Sequence, residues 1–346
     1  MSGIYCAGWK PALPGIGSVA WERGLPARKP LKMEFCKRLT YLPLGHRIVS
    51  MPVLLQQLIN GFFTGSVYGL FAIGYTLVFG VLDILNLAHA AIFTLGGLMA
   101  LWLTTSAGLS IWIAFPLAAL FSGALGLVLD RVAFAPPRRR ADSNLSGLIS
   151  SIAMAIIFES AALSIFGART VRFPEGIFVN RVWHFYSATV TSLQVEIVLS
   201  ALILMFALTA FLKHHRMGKA IRAVAESERT ARLLGINVDG VISVTFFISS
   251  ALGGVAGILY GLYFDALAPD MGHSIELKGL AVIILGGMGS IPGAILGGIA
   301  FGLSEVFTVA LTGTSNLRDA VAFTVLLVIL ILKPSGLLGR GRVREA

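Results

Sequence analysis

Four long runs without a charged side chain constrain the fold of this sequence more than any other feature. Residues 48–82, 84–129, 240–264 and 279–304 contain no Asp, Glu, Lys or Arg. About 20 apolar residues in a helix cross the hydrocarbon core of a bilayer. Backbone polar groups find no water there, so only helices and closed barrels can span it. Because the runs lack the short alternating segments of barrel strands, they predict membrane-spanning helices.

The composition supports this interpretation. Apolar residues make up 56% of the chain and charged residues 13%, whereas soluble domains average about 45–50% and about 25%. These values exclude a water-soluble globular enzyme, a disordered chain and a disulfide-stapled secreted domain. The formal net charge of +10 is typical of basic cytoplasmic loops, so we expect membrane lipid and no nucleic acid as a partner. Cys6 and Cys36 define neither a disulfide framework nor a metal site.

We therefore predict an all-α fold, a polytopic transmembrane helical bundle with about 8–9 hydrophobic spans, some broken or re-entrant. The predicted spans are residues 54–80, 88–105, 111–133, 144–166, 193–213, 241–263, 274–290, 292–312 and 318–333. The stretch 274–312 is rich in glycine and leaves two interpretations open. It forms either two short crossings or a broken helix with a re-entrant turn.

Lysine and arginine predict the orientation of the spans. They are concentrated in residues 131–142, in residues 213–239 and in the C-terminal tail, which we therefore expect in the cytoplasm. The alternation of spans then puts residues 167–192 outside, although this segment contains three arginines.

The N-terminus conflicts with this orientation, because the same alternation puts its basic residues outside. One resolution is that residues 54–82 cross twice as a broken hairpin. The other is that residues 1–50 are a basic, proline-containing leader outside the working protein. It would then be a disordered tail or a start-site over-extension, with translation beginning at Met51.

Glycines recur at four-residue spacing on three of the predicted spans. They are Gly61, Gly65 and Gly69; Gly253, Gly257 and Gly261; Gly293 and Gly297; and Gly298 and Gly302. A helix face without side chains lets backbones approach closely, so packing between helices is the favoured interpretation. The alternative is that some of these glycines line a path through the bilayer or permit a hinge.

Ionisable residues within the membrane are usually functional. The candidates are Asp83, Glu159, Glu305 and Asp319, with His89 as a titratable neighbour. Asp83 and His89 flank Asn86 at a predicted membrane boundary, where helix capping or interfacial solvation is the simpler explanation. Glu159 is expected to pair with another helix, and Glu305 is a candidate for a buried hydrogen-bond hub.

The longest polar stretch of the hydrophobic body is residues 213–240, which we call the elbow. It is rich in Ala, Arg, Leu and Glu, which favour helices, so we expect one or two short helices outside the membrane. Ala231 and Leu234 share a helix face, and Gly235 suits the position after a helix end. Small alanines would let such a helix dock into a groove on another protein. The alternative is a membrane-surface helix held by anionic lipid.

Residues 218–237 read GKAIRAVAESERTARLLGIN. This segment resembles the ATPase-contacting loop of ABC-importer permeases, in the version found in branched-chain amino acid permeases of the LivH type. LLQQLINGFFTGSVYGLFAIGYTLVFGVLDILNLAHA, from residue 54, resembles the first segment of that family. LDRVAFAPPR, LGGMGSIPGAILGG and KPSGLLGR match further family signatures in the same order. The resemblance covers about residues 52–340 and implies a permease domain at 51–340.

One segment departs from the family pattern. The family usually reads Asn-Phe-Ala-His-Gly followed by an acidic or polar residue. This chain has Asn86, Leu87, Ala88, His89, Ala90 and Ala91. The missing glycine and acid fall where the second span begins, so the identity of the transported solute is left open. Similar permeases serve urea, short amides and aromatic acids.

The resemblance implies a division of labour among subunits. This chain has no Gly-x-x-x-x-Gly-Lys-Ser/Thr motif to cradle ATP phosphates, so two cytoplasmic ABC ATPase subunits would supply the energy. A second permease subunit would complete a heterodimer, and a periplasmic solute-binding protein would deliver the solute. The implied location is the cell inner (plasma) membrane, multi-pass, with the elbow as coupling loop and the C-terminus, including the tail 341–346, in the cytoplasm.

The resemblance also implies candidate site residues. Coupling to the ATPases would use Gly218, Arg222, Ala223, Ala225, Glu226 and Gly235. The translocation path or its gate would involve Asn60, Asn86, His89, Gly286, Gly287, Gly289 and Glu305. No catalytic residue, metal ligand or cofactor is predicted.

The predicted function is therefore the permease subunit of an ABC importer of small amino acids, above all branched-chain ones. The same machinery importing urea, short amides or aromatic acids is the first alternative. A stand-alone ion-coupled secondary transporter using Asp83 and Glu305 is the second. An enzyme is not expected, because the chain contains neither His-Glu-x-x-His nor Gly-x-Ser-x-Gly.

Overall fold

A computed structural model of the protein describes residues 51–138, 143–174, 176, 181–185, 188–314, 317–333 and 336–339. The leader 1–50 and the tail 341–346 lie outside these residues, so the statements about both remain predictions.

Helices dominate the described residues, which confirms the predicted all-α bundle. The helices are α1 (Met51–Leu82), α2 (His89–Thr105), α3 (Ile111–Leu129), α4 (Ala135–Arg138), α5 (Ser143–Phe166), α6 (Ser192–His214), α7 (Arg216–Glu226), α8 (Glu228–Leu233), α9 (Val238–Phe264), α10 (Met271–Gly286), α11 (Ile291–Thr312) and α12 (Arg318–Leu332). A π-helical turn, Asp130–Phe134, joins α3 to α4. An antiparallel hairpin of β1 (Val182–Phe185) and β2 (Ala188–Thr191) precedes α6.

Six helical segments in the described part are long and apolar enough to cross a membrane. They are α1, α3 together with α4, α5, α6, α9 and α11. The hairpin marks one end of the bundle, where Gln56 Nε2 of α1 donates to the Thr189 carbonyl over 3.1 Å. The elbow follows the far end of α6, so it lies at the opposite end of the bundle from the hairpin.

The first apolar run forms a single helix, so the interpretation that residues 54–82 cross twice is wrong. α1 has 32 residues without a break. A hairpin would need turn-forming residues in the middle of the run, but residues 53–82 contain no proline, and their glycines lie in helical positions. The predicted conflict at the N-terminus is therefore not resolved by a second crossing.

The glycine ridges serve the packing of helices on one another. A Cβ at Gly65 of α1 would lie 2.6 Å from the Cα of Ile299 in α11, so the two backbones are nearly in contact. Gly257 of α9 lies against the backbone carbonyl of Phe93 in α2, where a Cβ has no room. Close backbone approach between small residues is a common way to associate helices in membranes, and the packing interpretation is confirmed at these positions.

Gly257→Ala is expected to destabilise the bundle by about 1–3 kcal/mol, because the new methyl group would overlap the Phe93 carbonyl and overpacking has costs of this size. Gly80→Ala in α1 is the matched control, since a Cβ there meets no atom closer than 3.8 Å. Alanine also favours a helix over glycine by up to about 1 kcal/mol. Thermal unfolding in detergent compares the two variants, and equal stabilities would contradict the tight contact at Gly257.

The glycine-rich stretch 274–312 forms two helices, α10 and α11, joined by a turn. Of the two, α11 is among the six segments long and apolar enough to cross a membrane, so both interpretations, two short crossings or a broken helix with a re-entrant turn, stay predictions. The two helices run antiparallel, with Gly286 against the backbone of Gly293. The turn between them has positive φ angles of 104° at Gly287 and 80° at Gly289, which favour glycine. Leu337 N donates to the Leu285 carbonyl over 2.8 Å, so the C-terminal stretch packs on the same turn.

Candidate functional site

The elbow folds as two short helices, α7 and α8, as its composition predicts. Each helix has a side-chain N-cap, because His215 Nδ1 accepts a hydrogen bond from Met217 N and Ser227 Oγ accepts one from Thr230 N, both over 3.2 Å. Such caps satisfy backbone donors that a helix start leaves unpaired. The caps thus set where both helices begin.

One face of α7 is buried against the bundle. Ile221 and Val224 are each 2% exposed. Gly218 lies against the backbone of Phe211 and Leu212 at the end of α6, where a Cβ would overlap both. Of the predicted coupling residues, Gly218 is therefore a packing position within the chain rather than part of its outer surface.

The other predicted coupling residues lie towards the outside of the elbow. Arg222 and Glu226 are exposed, whereas Ala223 and Ala225 are half-buried at the edge of the contact with the bundle. Gly235 has a φ of 76°, and its amide donates to the Arg232 carbonyl, as expected for a residue just after a helix end.

The end of the elbow also exposes two large apolar side chains that sequence reasoning missed. Leu233 is 82% exposed and Leu234 is 74% exposed, whereas Ala231 is 1% exposed. The expectation that Leu234 shares a face with Ala231 is wrong, because α8 ends at Leu233 and the chain turns away through Gly235. The presence of two adjacent leucines in an otherwise polar stretch was the sequence signal that could have predicted this exposed apolar pair.

A non-helical segment, residues 83–88, connects α1 to α2 inside the bundle. Asp83 has a φ of 57°, which ends α1. The Leu87 amide donates to Ser151 Oγ of α5 over 3.3 Å, so a side chain replaces the missing helical partner. Asn86 is 1% exposed, and neither polar atom of its side chain has a hydrogen-bond partner among the described residues.

His89, at the start of α2, is fully buried. Its ring lies 4.9 Å from the ring of Phe71 and 5.6 Å from that of Tyr75, measured between centroids. A Cβ at Gly253 of α9 would lie 2.7 Å from His89 Cε1, so that glycine leaves the space that the imidazole fills. Interfacial solvation is therefore wrong as an explanation for His89, because its ring packs in the interior of the bundle between α1 and α9.

Glu305 of α11 is the hub of a buried ion network. Its Oε1 lies 2.8 Å from Lys278 Nζ of α10 and 3.4 Å from Arg318 Nε of α12. Lys278 Nζ also lies 3.0 Å from Asp319 Oδ1. The side chain of Glu305 is only 1% exposed, and a carboxylate this deep is costly without a cation beside it. The hub interpretation of Glu305 is confirmed.

Lys278 is the second residue that sequence reasoning missed. It is the one basic residue in the predicted span 274–290, and its side chain is 10% exposed. A lysine within an apolar span needs an anion or a water-filled cavity. That requirement was the signal that could have paired it with Glu305.

A pocket of about 130 Å³ brings together two of the predicted path residues, Asn60 of α1 and Glu305. This is roughly ten times the space that one water molecule needs. Arg318 and Tyr263 also line it, and Tyr263 lies next to the end of α9 away from the elbow. The pocket therefore opens towards the hairpin end of the bundle.

The remaining predicted path residues lie elsewhere. Asn86 and His89 belong to the buried segment between α1 and α2, and Gly286, Gly287 and Gly289 form the turn against the C-terminal stretch. Glu159 of α5 pairs with His273 of α10 through a 3.0 Å contact, which confirms that it partners another helix.

Comparison with known proteins decides the family. Residues 57–330 match the sequence profile of the family described as "branched-chain amino acid transport system / permease component". The chain belongs to this permease family. The matched range includes the elbow, the segment 83–88 and the ion network around Glu305.

Named relatives agree with this membership. The permease is 36% identical over 310 residues to LivH, the high-affinity branched-chain amino acid transport system permease protein of Salmonella typhimurium, which covers 84% of this chain and 97% of LivH. It is 35% identical over 302 residues to BraD of Pseudomonas aeruginosa, described in the same words, with the same coverage. A shorter match, 28% over 127 residues, covers 35% of this chain and 39% of the ribose import permease protein RbsC of Escherichia coli. No solved structure matches this chain.

Proposed function

We propose that this permease is the transmembrane subunit of an ABC importer that moves small amino acids, above all branched-chain ones, across the inner membrane. The family match over residues 57–330 carries the proposal, and the names of LivH and BraD suggest the solute. Two separate cytoplasmic ATPase subunits drive the import. A second permease subunit completes the path, and a periplasmic solute-binding protein delivers the solute.

The elbow is the element that receives the ATPase motion. Its outer side carries the charged residues Arg222 and Glu226 and ends in the exposed pair Leu233 and Leu234. Adjacent exposed apolar side chains rimmed by charges are typical of a protein interaction site. Gly218 seats α7 on the end of α6, and α9 begins directly after the elbow. A push on the elbow therefore acts on two long helices at once, as a shear or hinge transition requires.

The alternatives fit the ion network less well. A stand-alone ion-coupled transporter needs a cation site at a carboxylate in the membrane, but Glu305 already has Lys278 and Arg318 beside it. Urea and short amides carry no charge and would gain little from a pocket lined by both a carboxylate and a guanidinium group.

Co-purification tests the proposal. The permease, expressed with candidate ABC ATPase, second-permease and binding-protein subunits from the same organism, is expected to form a complex whose leucine uptake in proteoliposomes requires internal ATP and the binding protein. Isolated permease is the control and is expected to transport nothing. Uptake that survives ATP depletion but stops with an uncoupler would contradict the proposal and favour the ion-coupled alternative.

A further inference from the structure

Two residues that line the pocket, Glu305 and Arg318, each have a buried polar atom that the protein itself does not use. Oε1 of Glu305 is shared by Lys278 and Arg318. Its second oxygen, Oε2, is buried and has no hydrogen-bond partner in the part of the chain that the structure describes. The same is true of Arg318 Nε, whose 3.4 Å contact with Oε1 lacks hydrogen-bond geometry. Buried polar groups are normally satisfied, so both groups point to a missing ligand.

The two groups have opposite charge and line one pocket. Glu305 supplies a carboxylate oxygen, and Arg318 supplies a guanidinium group, which favours planar carboxylates. Asn60 adds a neutral amide to the same wall. The rest of the wall includes Phe264, Val306 and Val309, which are apolar. A ligand with one cationic group, one carboxylate and an apolar side chain matches this lining.

The charges of the network balance without a ligand. Lys278 and Arg318 face Glu305 and Asp319, so two cations stand against two anions. A ligand with a net charge would leave an uncompensated charge beside Glu305 and Lys278, whose side chains are only 1% and 10% exposed, and a buried unpaired charge is costly. A zwitterion keeps the balance, since its ammonium and carboxylate groups enter together.

We propose that this pocket is a contact site for the transported solute, and that it recognises the α-amino acid zwitterion. Glu305 Oε2 accepts hydrogen bonds from the α-ammonium group, and Arg318 donates to the α-carboxylate. The apolar wall at Val306 and Val309 faces the side chain of the solute. Lys278 is a positioning residue, because its 2.8 Å contact engages Oε1 of Glu305 and leaves Oε2 without a partner among the described residues. This inference rests on the proposed function, since it assigns residues to an amino acid solute.

Photo-leucine, a diazirine analogue of leucine, tests the site directly in the purified complex. Irradiation is expected to label peptides of α11 or of the end of α9, which carry the apolar wall. Excess leucine should suppress the labelling, whereas leucinamide, without a carboxylate, and isocaproate, without an ammonium group, should not. Labelling confined to other helices, or suppressed equally by all three compounds, overturns the proposal.

Variants assign the two charges. Arg318→Gln and Glu305→Gln are each expected to lower pocket labelling about ten-fold or more, the effect of losing one charge-assisted hydrogen bond. Arg318→Gln keeps the test decisive if Glu305→Gln folds poorly, because Arg318 is 35% exposed and not buried like Glu305. Glu159→Gln, which changes a carboxylate that contacts His273 outside the pocket, is the matched control and should label like wild type. Unchanged labelling in Arg318→Gln overturns the proposal.

The outcome separates this inference from the proposed function. A complex that takes up leucine with ATP but carries no label at the pocket leaves the proposed function standing and removes the contact site. A complex that takes up no amino acid removes the proposed function, and with it the solute assignment.

Discussion

Replacing Lys278 alone by methionine is expected to lower the free energy of unfolding by about 3–5 kcal/mol, because the change breaks a buried ion pair. Methionine keeps the length and much of the volume of lysine, so little packing is lost. Glu305 remains buried at 1% exposure, but it keeps its 3.4 Å contact to the positive charge of Arg318. Because Arg318 still compensates part of the carboxylate charge, the loss of unfolding free energy should fall near the lower end of that range.

The double variant Lys278→Met with Glu305→Leu is expected to recover most of this stability. Once both buried charges are removed, the remaining members of the network, Asp319 and Arg318, keep contact with water, since their side chains are 60% and 35% exposed. Replacing a whole buried pair by apolar residues is often neutral or stabilising. Unfolding by SDS titration in mixed micelles measures all three proteins.

Asp319→Asn provides the control for this cycle. It removes a partner of Lys278 whose own side chain is 60% exposed. The free energy of unfolding is therefore expected to fall by only about 1 kcal/mol or less. A double variant that is no more stable than Lys278→Met would show that the pair does not act as a unit. That result would contradict the hub that Glu305 forms.

Much of the fold could be predicted from the sequence because the bilayer imposes a simple rule on it. The run 48–82 has no charge and no proline after Pro52, which favours a long helix such as α1. The composition of the elbow likewise predicted short helices, and Gly235 marked where the second one ends. In each case, the decisive information is local.

The predicted spans 54–80 and 88–105 place the break between α1 and α2, but its burial inside the bundle could not be predicted in this way. Residues 83–88 have an apolar sequence around Asn86, and nothing local says that they leave the helix inside the bundle. Their backbone is tolerated because tertiary partners replace the lost helical bonds, as Ser151 does for Leu87. The burial of His89 was missed for the same reason, since it depends on the space left by Gly253 in a helix far along the chain.

The candidate site was only half visible for a related reason. Glu305 stands out as a carboxylate beside a charge-free run, but Lys278 and Arg318 are near it only because α10, α11 and α12 pack together. The pocket adds Asn60 from α1, which is more than 200 residues away in sequence. Such a site depends on how distant helices pack together, and this cannot be inferred from the spacing of residues along the sequence.

Ala225→Trp is expected to reduce leucine uptake by the complete complex about ten-fold or more and to abolish the stimulation of ATP hydrolysis by transport. Ala225 is half-buried and lies between the buried Val224 and the exposed Glu226 in the sequence. It therefore marks the border between the packed face and the outer face of α7. An indole at this edge would hold the elbow away from any groove that accepts it. Overpacking costs about 1–3 kcal/mol, and 1.4 kcal/mol is a tenfold change in binding.

Two controls separate lost docking from a damaged permease. Ala225→Ser keeps the side chain small and should retain uptake. Ala107→Trp puts the same indole in the exposed loop between α2 and α3, at the end of the bundle away from the elbow, and should also retain uptake. The Ala225→Trp permease alone should elute from a sizing column and unfold thermally like wild type, because its lost contacts are with the ATPases. Full uptake and full coupling in a well-folded Ala225→Trp complex would mean that the ATPases engage another surface, and the exposed leucines of the elbow would then face lipid or a second permease instead.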